Sequence, residues 1–93
     1  MSGFSVPTEE MQEAAQAFAS ASRDCQVILK RLDLATEKLE KSWSGVTQEA
    51  FYTYFSDWRE HMANFAVLLA SISSEMNAIS ERYQSADTLE LDS

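Results

Sequence analysis

From Met11 onward, apolar residues return every three or four positions in strict alternation: Met11, Ala14, Phe18, Ala21, Cys25, Ile28, Leu32, Ala35 and Leu39. That spacing places them on one side of an α-helix for some 30 residues. Ala15 and Leu29 widen the stripe, while Gln12, Arg23, Lys30, Asp33, Glu37 and Lys41 fall away from it. Upstream, residues 1–7 carry no period, and Pro7 followed by Thr8-Glu9-Glu10 signals a helix start. The Thr8 hydroxyl is expected to accept from an orphan backbone N–H, and Glu9, Glu10 and Glu13 suit the positive end of the helix dipole. Lys38 and Lys41 bring cations to the other end. The predicted helix covers about residues 8–41, which at about 1.5 Å per residue is roughly 50 Å long.

A second stripe follows at Phe51, Phe55, Trp58, Met62, Phe65, Leu69, Ile72, Met76, Ile79, Tyr83 and Ala86. No proline or glycine occurs from residue 46 onward, so a second helix is predicted over about 47–86, with residues 87–93 as a flexible tail. The two patterns meet at Trp43-Ser44-Gly45, inside a predicted bend at 42–46. Gly45 is one of two glycines in the chain, and a residue without Cβ suits the strained backbone of a tight reversal. Trp43 offers a large apolar surface to plug the open end of two packed helices. The chain therefore reads as all-α, a helix-turn-helix hairpin forming one domain over residues 1–93.

Both stripes are wider than the two positions per heptad that a single pair of helices uses. A second hairpin is expected to cover them, either another copy (a homodimer) or a similar chain (a heterodimer), giving an antiparallel four-helix bundle. Phe18, Ile28, Leu32, Phe55, Trp58, Met62 and Phe65 are the expected core of that contact. Packing is also the expected role of the aromatic group Phe51, Tyr52, Tyr54, Phe55 and Trp58, with Tyr52 its most exposed member.

Ninety-three residues, 45% hydrophobic and 24% charged, suit one globular unit. A net charge of −8 argues against nucleic acid or anionic lipid as the main partner, because either needs clustered Lys and Arg. The longest unbroken apolar run, Phe65 to Ala70, is far short of the roughly 20 residues of a spanning helix, so membrane contact is allowed but not indicated. Met-Ser-Gly-Phe-Ser-Val-Pro has neither a basic start nor an apolar core, so no ordinary signal peptide is expected. The lone Cys25 sits on the stripe and reads as a small buried hydrophobe. His61, beside Glu60 and four residues after Asp57, reads as a surface histidine paired with a carboxylate. There is no phosphate loop, second histidine or Cys-His set, so neither an enzyme nor a cofactor is expected.

A chain of about this length, with two amphipathic helices, Trp43-Ser44-Gly45 at the centre and Ala50-Phe51, Phe55 and Trp58 beyond it, resembles the WXG-type, ESAT-like family exported by bacterial type VII secretion. Tyr83-Gln84-Ser85-Ala86-Asp87 fits that family's Tyr-x-x-x-Asp/Glu export signal, with Tyr83 and Asp87 four residues apart on one helical face. The resemblance implies a substrate or co-export partner of an ESX or Yuk-type machine. Such a protein leaves the cytoplasm folded as a dimer, and a membrane ATPase of the FtsK/SpoIIIE type reads its signal. Two other readings stand beside this one. An intracellular adaptor or chaperone would bind an amphipathic helix of another protein along its stripe and has no need of Tyr83 and Asp87. A membrane-active virulence factor would open at acid pH, where protonated carboxylates lower its charge.

Overall fold

The computed structural model describes residues 7–92, with side chains described for residues 7–84. Helix α1 spans Thr8–Glu40 and helix α2 spans Val46–Asp92. They fold back on each other as a hairpin with extents of 72 × 17 × 17 Å, and there is no strand among the described residues. The chain stays helical beyond residue 86, where the apolar stripe ends, and no helix-breaking residue lies in that stretch. The side chains of the 87–93 segment, expected to be a tail, lie outside the described residues.

The start of α1 differs from the expectation. Pro7 holds the capping position, no side chain among the described residues caps the helix, and the Met11 N–H donates to the Pro7 carbonyl at 2.9 Å. Thr8 is already helical, one residue past the place where its hydroxyl could reach the orphan donors. At the bend, Gly45 has φ +109°, a backbone that side-chain-bearing residues rarely adopt. Its carbonyl accepts from the Glu49 N–H at 3.2 Å, which opens α2.

The two helices meet along small residues. The most buried positions are Ala15, Ser22 and Leu29 on α1 and Ala66, Leu69, Ser73 and Ser80 on α2. Ala15, Ser22 and Leu29 recur every seven residues, as do Ala66, Ser73 and Ser80. Ala15 and Leu29 therefore do more than widen a stripe: they lie on the innermost line of the hairpin. Because these side chains are short, hydroxyls cross directly to the opposite backbone. Ser22 donates to the Ala66 carbonyl at 2.7 Å, and Ser73 donates to the Ala15 carbonyl at 2.6 Å. Nearer the bend, the Tyr52 hydroxyl donates to the Thr36 carbonyl at 2.9 Å.

Each of these three bonds joins residues equidistant from Ser44 in the bend, which defines the register: 22 with 66, 15 with 73, 36 with 52. Ser80 extends the row, and its counterpart is Thr8, where α1 begins. Its hydroxyl is fully buried and has no hydrogen-bond partner among the described residues. Arg59 adds a two-pronged ion pair at the seam's edge, its Nε and a terminal nitrogen each 2.6 Å from an Asp33 carboxylate oxygen. The guanidinium holds the Asp33 carboxyl below its ordinary value, and Asp33 in turn raises Arg59. Burial beside α1, with the nearby Glu40 charge, raises the Tyr52 hydroxyl.

Candidate functional site

With the small residues turned inward, the large ones are left on one open face. Ile28 is 46% exposed, Leu32 36% and Phe65 46%. Phe18, Phe55, Trp58 and Met62 are half-buried. The seven residues expected at a helix–helix contact thus share a single side of the hairpin and are only partly covered by it. Part of that face is an apolar groove of about 450 Å³ beside the bend, whose lining includes Leu32, Leu39, Phe51, Phe55 and Trp58.

The groove wall is a ladder of rings. Trp43 sits tilted on Phe51 with centroids 5.4 Å apart, Phe51 stacks on Phe55 at 6.0 Å, and Phe55 stacks on Trp58 at 5.8 Å. Trp43 therefore joins the bend to the first turns of α2 and remains half-exposed at the tip. A Cβ added at Gly45 would meet nothing within 4 Å, so only its backbone angle restricts the residue there.

The tyrosines exchange expected places. Tyr52 is half-buried by its bond to α1, whereas Tyr54 is 77% exposed. The cause is the heptad: residue 52 lies seven before Arg59 and fourteen before Ala66, on the inner line, and residue 54 lies on the flank of the open face. His61 is exposed and makes no ion pair among the described residues, so the expected carboxylate pairing is not formed. Cys25 is half-buried rather than interior, because the open face has no second layer over it. Tyr83 is 46% exposed on α2, and the side chain of Asp87 lies outside the described residues.

The inner serines were missed as site-building residues. The available signal was the seven-residue recurrence of Ala and Ser one position after the apolar stripe. Over an 18-residue window α2 reaches a mean hydropathy of 1.2, so by length and composition it is apolar enough to cross a membrane, which the longest unbroken run did not reveal. Only 17% of that window is buried, since its apolar side chains are those of the open face. Among the described residues no group of His, Cys, Asp and Glu is placed to hold a metal ion.

The structure is thus a two-helix rod with Trp-x-Gly at its bend and one apolar side uncovered. The sequence matches the WXG100 family, proteins of 100 residues with WXG, over residues 3–88. The chain belongs to that family of helical hairpins of bacterial type VII secretion. Its fold is similar to EsxA of Geobacillus thermodenitrificans, at a TM-score of 0.83 and 21% identity over 97% of this chain and 98% of that one. It is also similar to the secreted protein EsxB of Bacillus anthracis, at 0.81 and 26% identity over 94% of this chain and 99% of that one. No curated protein matches the chain.

Proposed function

We propose that this protein is an exported substrate or co-export partner of a type VII secretion machine, leaving the cytoplasm as a folded dimer of hairpins. Membership of the family over residues 3–88 carries this reading, and the open apolar face gives it a physical form. A hairpin whose Phe65 and Ile28 are each 46% exposed is incomplete alone, and a second hairpin supplies the missing half of a four-helix bundle. Tyr83 and Asp87 are the export signal, read by a membrane ATPase of the FtsK/SpoIIIE type, and the bend at Trp43 and Gly45 contributes to the same recognition surface. The test is export from cells with an intact machine. Tyr83→Ala and Asp87→Ala abolish appearance in the medium while light scattering and circular dichroism still report a helical dimer; normal export of both variants refutes the signal.

The apolar window of α2 supports a second reading, action on membranes. It requires leakage of dye from liposomes that rises as pH falls, and absence of leakage at every pH removes it.

A further inference from the structure

We infer that the outer side of α1, from Arg23 to Lys41, is a docking strip for an acidic amphipathic helix of another protein. The strip is separate from the open face, and the inference does not rest on the export reading above.

Val27 and Leu34 each follow an inner-line residue, Ser22 and Leu29, by five positions, which turns them about 140° away from α2. Both stand in water, Val27 56% exposed and Leu34 54%. Single exposed apolar residues are ordinary on a protein surface. Their surroundings set these two apart. The surface neighbours of a helical residue lie three and four positions away. For Val27 these are Arg23, Asp24, Lys30 and Arg31; for Leu34 they are Lys30, Arg31, Glu37 and Lys38. Three of the four are cations in each case, and Lys41 continues the central row, seven residues after Leu34.

The charge is concentrated there. Residues 23–41 hold five of the seven Lys and Arg in a chain of net charge −8. The other two, Arg59 and Arg82, are both in ion pairs. None of the five forms an ion pair among the described residues, and all five are exposed. Of the four acids in the same stretch, Asp33 and Glu40 lie seven apart on the row at the seam, where Asp33 holds Arg59. Only Asp24 and Glu37 border the strip. A chain with 15 Asp and Glu thus keeps a positive surface about 27 Å long and one helix wide.

That shape selects the partner. Cations on both sides of an apolar centre fit a helix with carboxylates on both sides of an apolar stripe, the complementarity by which paired helices choose each other. A partner helix of about 18 residues spans the strip, with apolar side chains over Val27 and Leu34. A membrane surface or a nucleic acid is too extended an anion. Followed toward the start of α1, the same outer rows hold Glu9, Glu10 and Glu13 and no cation, so a polyanion running past Arg23 meets like charge. A second copy of this chain fits no better. Its own acidic stretch places Glu13 and Ser20 in the central row and offers nothing apolar to Val27 and Leu34.

The probe is a pair of synthetic helices of about 18 residues that share one leucine stripe, the first flanked by glutamate and the second by lysine. Each is titrated into the intact, isotope-labelled chain at physiological salt, and amide shifts report where it binds. The glutamate helix is expected to shift amides of α1 between Arg23 and Lys41, and the lysine helix to leave them in place. Lys30→Glu combined with Arg31→Glu is expected to weaken binding at least roughly tenfold. Val27→Ser with Leu34→Ser should weaken it by a similar factor. Arg82→Glu, at a cation off the strip, should change it less than about twofold. Every substituted residue is exposed, and circular dichroism checks that each variant keeps its helices. Equal binding of the two probes, or shifts centred on Phe55 and Phe65 of the open face, overturns the strip. Anionic phospholipid vesicles or duplex DNA binding the same residues more tightly than the glutamate helix overturns the helix as occupant.

Discussion

The inner and open sides of the same two helices are built from opposite materials. Inside the hairpin, alanine and serine let the backbones approach until hydroxyls reach across to carbonyls. On the open side, phenylalanine, tryptophan, leucine and isoleucine stand half-covered. Several of the chain's large apolar side chains, Ile28 and Phe65 among them, therefore stay exposed in the single hairpin, while most of its buried positions are alanine or serine. Register and completion are separate tasks here, assigned to separate faces. The inner side determines how α1 meets α2, and the open side is the apolar surface that this pairing leaves uncovered.

That division is open to direct attack. The largest effect is expected from Phe65→Asp, a charge placed in the middle of the open face. It should raise the dimer dissociation constant by about two orders of magnitude or more while the isolated hairpin keeps its register. Analytical ultracentrifugation with circular dichroism reads both, and an unchanged dimer would show that the open face is not the contact. Next comes Ala66→Leu, which forces added bulk into a position 2% exposed. Overpacking of this kind costs about 1–3 kcal/mol, read as a lower urea midpoint, and a neutral result would mean the helices are not held close.

A smaller effect divides two serines of the same row. Ser73→Ala removes a 2.6 Å bond to a buried carbonyl and should cost about 1 kcal/mol. Ser80→Ala removes a buried hydroxyl that has no partner among the described residues and should be neutral or stabilising. Equal losses at both positions would erase the distinction between bonded and unbonded members of the seam. The smallest effect concerns the ion pair at the seam's edge. Asp33 is held below its ordinary value of 3.8, so the contribution of its pair with Arg59 is present in full above that pH and is lost as pH falls through the lower folded value. Asp33→Asn should therefore shift the thermal midpoint by no more than a few degrees at neutral pH and flatten its dependence on acid below about pH 4. An acid titration of the midpoint with the wild-type slope would show the pair contributes nothing.

Large side chains made the architecture readable. The alternation of three and four residues from Met11 to Leu39 and from Phe51 to Tyr83 marks two helices, and Trp43-Ser44-Gly45 marks the place where they reverse. What the pattern hides is which of two adjacent lines faces inward. Hydropathy gives serine and alanine little weight, so Ser22, Ser73 and Ser80 read as background although they are among the buried residues of the hairpin. The same blindness exchanged Tyr52 for Tyr54, since the two differ only in which side of the stripe they flank. Thr8 departs from its expected place for a local reason: proline, fixed in φ, already fits the capping position and moves the threonine one step into the helix.

The serine row also governs girth. Because hydroxyls of minimal reach bridge the helices, the hairpin keeps a Cα width of 17 Å along a body of 72 Å. A body travelling lengthwise needs an aperture matched to its girth, whatever its mass. Adding a heptad to each helix would lengthen the rod by about 10 Å and leave the required opening unchanged. One bulky residue on the inner line would do the reverse.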